Sequence, residues 1–240
     1  MKKKYTHIFF DLDNTLWDFN KNSYQALYNA FLHFSIDVHP ITYPKFFEVY
    51  SKYNQKLWVE YRRQKVVKNE LKRLRFQQTF DELEIKGIDA DNMNSLYLCE
   101  MAKQINLVDG AEEILRYLKN KGYLLFIITN GFKEVQHKKL EATNLRKYFT
   151  KVFISEDVKA PKPDRKIFEY AIKSANAPKH KSLMIGDNFE IDIKGAINFG
   201  IDAVLFSDKC TNGSQNQKKI LKDSDIFRII ESLHELKGFV

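Results

Sequence analysis

Cysteine is scarce: Cys99 and Cys210 are the only two in 240 residues, and neither has a His or Cys neighbour at metal-ligand spacing. A disulfide framework and a thiolate zinc site are therefore excluded, leaving two reduced thiols. Five prolines and nine glycines are spread too thinly to form a Pro/Gly/Ser linker, and no repeat or low-complexity tract is present. No apolar run approaches the roughly 20 residues that span a bilayer, so neither a membrane helix nor a membrane partner is expected. Met1-Lys2-Lys3-Lys4 leads straight into a strand pattern without the apolar stretch or cleavage site of a secretory signal, which points to a cytoplasmic protein.

Positive charge is present in excess. The net charge is +8, and much of it is local: Lys2 to Lys4 form one cluster, and Arg62, Arg63, Lys65, Lys68, Lys72, Arg73 and Arg75, interrupted only by Glu70, form another. A basic stretch at helical spacing reads first as a solvated face that also draws in anionic substrates. No nucleic-acid motif accompanies it, so a nucleic-acid polymer is not an expected partner. A chain of this length buries roughly 70% or more of its unfolded surface and has room for one core plus an inserted subdomain.

Periodicity divides the chain. Tyr5 to Phe10 is a short apolar run, a buried strand ending in the polar turn Asp11-Leu12-Asp13-Asn14-Thr15. From about Lys21 to Gln104 the spacing is helical, with breaks near His39-Pro40, Arg62 to Lys65 and Gly87 to Asp91, giving about four helices. After Asp109, strands and helices alternate. The expected strands are Leu124–Ile128, Val152–Ile154, Ser182–Ile185 and Ala203–Phe206. Helices are expected at 110–121, ending at Gly122, and at 133–143, 164–175, 190–198 and 225–237. Such alternation implies an α/β fold, a Rossmann-like three-layer parallel-sheet core with an inserted all-α domain. The boundaries are 1–16 and 106–240 for the core and 17–105 for the insert.

In parallel sheets chemistry gathers beyond the carboxyl ends of the strands. Four segments supply polar residues there: Asp11/Asp13, Thr129/Asn130, Lys162, and Asp187 with Asp192. Taken singly, each is a turn former, a helix cap or an exposed amine. Taken in order, Phe10-Asp11-Leu12-Asp13-Asn14-Thr15-Leu16, Ile128-Thr129-Asn130-Gly131, Lys162-Pro163-Asp164 and Gly186-Asp187 with Asp192 resemble the phosphatases of the haloacid dehalogenase-like superfamily. The resemblance covers the whole chain and makes the helical insert its α-helical cap.

The resemblance implies an aspartyl-phosphate mechanism. Asp11 is then the nucleophile, Asp13 the acid that protonates the leaving oxygen and later activates water, and Thr129 and Lys162 complete the catalytic set. Asp11, Asp13 and Asp187 around a phosphate dianion would repel one another, and a divalent cation removes that conflict. Oxygen ligands suit Mg²⁺, bound by the Asp11 and Asp187 carboxylates and the Asp13 carbonyl, with Asp192 orienting the shell. Carbon–halogen hydrolases of this superfamily lack the second aspartate, so Asp13 favours phosphate chemistry; mutases keep it and are not excluded.

In the insert, Asn54, Leu57, Trp58 and Tyr61 lie on one helical face, and Arg75-Phe76 follows. Most such residues simply pack a core. Together with Ile-Ser-Glu (154–156) and Lys-Pro-Asp-x-x-Ile-Phe-x-Tyr-Ala (162–171), they are similar to the pyrimidine 5′-nucleotidase branch. That branch implies a small phosphorylated substrate, a nucleoside monophosphate, with Trp58 and Tyr61 (or Trp17 or Phe76) offering an aromatic face and Asn54, Arg75 and Asn130 polar contacts. The alternatives are a sugar-phosphate phosphatase, a phosphomutase, or a phosphate-binding protein without turnover. A monomer and a homodimer are both compatible with the sequence.

Overall fold

The computed structural model describes residues 4–38, 40–207 and 227–240. Cys210 lies outside them, as do Lys2, Lys3, His39 and the first two residues of the expected helix 225–237. The chain forms two compact units, one from residues 1–19 with 106–240, the other from residues 20–105. Trp17, Asp18 and Phe19 thus group with the first unit.

The first unit is built on strands β1 (His7–Phe10), β2 (Leu124–Thr129), β3 (Lys151–Ile154), β4 (Ser182–Gly186), β5 (Asp202–Phe206) and β6 (Phe227–Ile230). They form one sheet in the order β3-β2-β1-β4-β5-β6, every pair parallel. Alternate residues Phe9, Phe126, Ile128, Phe153, Met184 and Leu205 form a core with Ile167, Phe168 and Ala171, and with Ala196 and Phe199. The intervening Ile8, Phe10, Leu125, Ile127 and Ile185 are equally buried, so both faces of the sheet are covered. This explains why the strands read as continuous apolar runs rather than alternating ones.

Helices of this unit are α5 (Ala111–Asn120), α6 (Lys133–Ala142), the single turn α7 (Ser155–Val158), α8 (Arg165–Ser174) and α9 (Lys194–Phe199). Gly122, just beyond α5, has φ 76°, the left-handed geometry expected of a glycine ending a helix. Asp164 caps α8 by accepting the Lys166 amide at 2.8 Å. The helix expected from 190 begins instead as a π turn, Phe189–Ile193, that runs into α9.

The C-terminal segment corrects the sequence reading. Where a helix was expected over 225–237, the described residues form strand β6 and then a 3-10 helix, Leu233–Gly238. Phe227-Arg228-Ile229-Ile230 pairs with β5 and leaves Phe227 and Ile230 buried. A free sheet edge outweighed the helical spacing of Ile226, Ile229, Ile230, Leu233 and Leu236, because two adjacent β-branched isoleucines suit a pleated surface.

The second unit is helical: α2 (Tyr43–Arg62), α3 (Lys68–Glu82) and α4 (Ala90–Lys103), with most of α1 (Phe19–His33) and a short 3-10 turn, Ile36–Val38. The Tyr50 ring stacks on Phe76 at 5.0 Å and meets Tyr97 edge-on at 5.6 Å. Arg75 is buried beside them, its guanidinium donating to Asn54 Oδ1 at 3.2 Å and Asn94 Oδ1 at 2.6 Å, so one side chain ties α2, α3 and α4 together. Among the described residues no helix is long and apolar enough to cross a membrane.

Phe76 is fully buried between Tyr50 and Tyr97. Phe76→Ala is expected to cost about 3–5 kcal/mol. The denaturant midpoint measures it, and a loss below about 1 kcal/mol would mean that these rings are not a packed interior.

Candidate active site

Register sets the site. Phe10 pairs with both Ile127 and Ile185, so β1, β2 and β4 end within two residues of one another along the sheet. Asp11 follows Phe10 directly, and its amide donates to Ile185 O at 2.8 Å. Thr129 ends β2, and Asp187 follows Gly186 at the end of β4. In this strand order the chain leaves β1 in one direction and β4 in the other, which opens the crevice where such sheets bind ligands.

Lys162 stands at the centre. It is 1% exposed, and its ammonium donates to Asp11 Oδ1 at 2.5 Å and Asp192 Oδ1 at 2.6 Å. The second oxygen of Asp192 accepts the Asn188 amide at 3.1 Å. Burial alone would push the Lys162 ammonium down, but the Asp11 and Asp192 carboxylates outweigh it and hold the pKa above the usual lysine range. Asn130 grips the Lys162 backbone from both ends, donating to its carbonyl at 3.0 Å and accepting its amide at 2.8 Å. From sequence Asn130 reads as a substrate contact; in the structure its amide group is engaged in holding Lys162.

Carboxylate oxygens of Asp11, Asp187 and Asp192 all lie within 4.8 Å of one another, close enough for one cation to bridge. Burial pushes Asp11 up to about 7, with Asp192 and Asp13 adding to the rise and Lys162 opposing it. Burial also holds Asp187 well above the ordinary carboxylate range, reinforced by Asp11 and Asp192. When all three are ionised, three carboxylates against one ammonium leave two negative charges, carried by hard oxygen donors, and the upward shifts reflect the cost of that state. The donor set therefore fits Mg²⁺ in both charge and chemistry.

Asp13 lies nearby on the turn that Asn14 completes at φ 60°. Both its oxygens are held by α6: Oδ1 accepts from Lys139 Nζ at 2.6 Å and Oδ2 from Gln136 Nε2 at 3.0 Å. Gln136 Nε2 also donates to Thr129 Oγ1 at 2.6 Å, and the Gly131 amide donates to the same oxygen at 3.2 Å. With its oxygen accepting twice, the Thr129 hydroxyl hydrogen is available for a ligand oxygen. Burial pushes Lys139 below the usual lysine range, with Asp13 opposing the shift. Neither Gln136 nor Lys139 was singled out from sequence, where 133–143 reads only as a helix.

Two glycines allow this packing. A Cβ on Gly186 would lie 2.5 Å from the Asp192 side chain, and one on Gly131 would lie 2.4 Å from Gln136. The remaining sequence candidates other than Trp17 belong to the helical unit. Trp58 and Tyr61 are half-buried on α2 with their rings edge to face at 5.6 Å, and Arg75 is interior as described. Trp17 is fully buried in the first unit with Lys139 Nζ 3.9 Å from its ring centre.

The uncompensated charge has a measurable consequence. Asp187→Asn removes one of the mutually repelling carboxylates and should raise the melting temperature of the metal-free protein, by about 2–4 °C for each 1 kcal/mol relieved. It should also shrink the stabilisation that added Mg²⁺ gives. Calorimetry with EDTA and with Mg²⁺ checks both, and a lower metal-free melting temperature would contradict the charge assignment.

A family model for haloacid dehalogenase-like hydrolases matches residues 5–200. Pyrimidine 5′-nucleotidase YjjG of Escherichia coli (strain K12) is 35% identical over 199 residues, 82% of this chain and 84% of that protein. Pyrimidine 5′-nucleotidase PynA of Streptococcus pneumoniae is 32% identical, covering 85% of this chain and 84% of its own. The crystal structure of the putative HAD-hydrolase YfnB from Bacillus subtilis, bound to magnesium, superposes with a TM-score of 0.85 at 26% identity and covers 98% of each chain. With the matched residues running from Tyr5 past the Asp187 and Asp192 carboxylates, this chain belongs to the haloacid dehalogenase-like hydrolases.

Proposed function

We propose that the protein is a Mg²⁺-dependent phosphomonoesterase that releases phosphate from nucleoside 5′-monophosphates, pyrimidine nucleotides foremost, through an aspartyl-phosphate on Asp11. The observation that carries this is the convergence of Asp11, Asp187 and Asp192 within 4.8 Å of one another beside the buried Lys162 ammonium, with a second aspartate two residues after the first. The nucleotide class rests on relatives named pyrimidine 5′-nucleotidase that align over more than four fifths of this chain.

Asp11 attacks phosphorus, forming an acyl-phosphate as the ester P–O bond breaks. Asp13 gives a proton to the departing oxygen, then takes one from the water that cleaves the acyl-phosphate, which frees Asp11 and inorganic phosphate. Lys162 favours the ionised form of Asp11 and balances charge, while the Thr129 hydroxyl donates to a non-bridging oxygen. The Asp11 and Asp187 carboxylates and the Asp13 carbonyl, with Asp192 orienting them, would hold Mg²⁺, which would supply charge neutralisation at the phosphoryl group.

A second reading has its own support. Glyceraldehyde 3-phosphate phosphatase of Pyrococcus furiosus is 31% identical over 203 residues, 83% of this chain and 79% of that protein. A phosphate-release panel with Mg²⁺ across ribo- and deoxynucleoside monophosphates and sugar phosphates separates the two. The expected outcome is highest kcat/KM on a pyrimidine nucleotide; a triose or hexose phosphate at the head of the panel would replace the nucleotide reading, and isomerised sugar phosphate would indicate a mutase.

Asp11→Asn is expected to abolish release on every substrate with the fold intact by circular dichroism, and EDTA to silence the wild type until Mg²⁺ returns. More than a trace of turnover by Asp11→Asn would end the aspartyl-phosphate mechanism.

A further inference from the structure

Lys139 is a buried cation that the mechanism above does not use. It is 3% exposed, and it lies between two groups of its own unit: the Asp13 carboxylate at 2.6 Å and the Trp17 ring, whose centre is 3.9 Å from the ammonium. A lysine taken out of water costs several kcal/mol unless charge and aromatic faces replace its hydration. Three residues earlier on α6, one helical turn away, the fully buried Gln136 bonds the other Asp13 oxygen and Thr129 Oγ1. Residues three apart lie on one helix face. Asp13 itself sits on a turn, where a carboxylate is free to rotate unless something outside the turn holds it.

We propose that Lys139, with Gln136, is a positioning residue that fixes the orientation of Asp13 for proton transfer to the leaving oxygen, and that the Trp17 ring holds the lysine in place. The proposal rests on the phosphomonoesterase reading. It makes α6 the part that couples two site segments, since the same glutamine amide touches both Thr129 and Asp13. Lys139 acts through Asp13 and touches neither phosphorus nor the leaving group.

Leaving-group dependence separates this role from a merely structural one. A nucleoside alkoxide needs its proton as the P–O bond breaks, whereas p-nitrophenolate leaves without one. kcat/KM reports the steps through the first phosphoryl transfer, so it isolates the half-reaction in which Asp13 is the acid. Lys139→Met is expected to lower kcat/KM on uridine 5′-monophosphate by about 10–100-fold and on p-nitrophenyl phosphate by less than about 3-fold. Lys139→Arg, which keeps charge and donors, should recover most of the loss. In an Asp13→Asn background, Lys139→Met should add no further loss.

Equal losses on both esters, no recovery by Lys139→Arg, or additive losses in the double variant would each overturn the assignment. Lys139→Gln, neutral but polar, takes the place of Lys139→Met if the latter does not fold. Wild type inactive on both esters would instead defeat the phosphomonoesterase reading, so the two failures are distinguishable.

Discussion

One buried ammonium organises the first unit's site. Lys162 reaches Asp11 from the end of β1 and Asp192 from the π turn beyond β4, so three separate parts of the chain meet at one nitrogen. A charge removed from water in this way is tolerated only when partners hold it on more than one side. Other details follow from that demand: Asn130 fixes the Lys162 backbone, the Asn188 amide satisfies the second oxygen of Asp192, and residue 186 has no side chain. Without the Asn188 amide an ionised Asp192 oxygen would lose a hydrogen bond, and without Asn130 the Lys162 backbone amide and carbonyl would lose theirs, both costly in a protein interior.

Two lysines divide four aspartates unequally. Lys139 pairs with Asp13 alone, whereas Lys162 is shared by Asp11 and Asp192 with Asp187 close by. The first pair is internally neutral; the second group is not. In the proposed mechanism, that asymmetry separates the place where a proton would be transferred from the place where a cation would bind. It also accounts for two aspartates only two residues apart differing so much in surroundings, since Asp11 faces acids and Asp13 faces α6.

Much of this was legible in the sequence because strand ends announce themselves. An apolar run that stops at an aspartate, a Thr-Asn-Gly turn or a Gly-Asp pair marks both the strand and its polar terminus, and the parallel order β3-β2-β1-β4-β5-β6 brings those termini together. Other features left weaker traces. Lys139 sits in a run of basic residues where only tertiary contact tells a buried lysine from solvated ones, and Gln136 carries no periodic signal at all. Asn130 was visible, but its engagement with the Lys162 backbone depends on a loop conformation that residue types do not encode. β6 was misread as helix because its isoleucines satisfy both periods, and the open edge of β5 decided between them.

The π turn over Phe189–Ile193 places one more residue in that loop of backbone than a regular helix would use. Asp192 falls inside this widened stretch, while the apolar Ile193 that ends it and Ala196 and Phe199 beyond it keep their seats in the core. Winding the same residues as a regular α-helix would shift one flank against the other by about one residue, roughly 100°. Either the carboxylate would swing away from Lys162 or the α9 side chains would leave the sheet. The irregularity is thus a phase correction that lets one short segment serve two incompatible angular requirements, and smoothing the helix would sacrifice one of them.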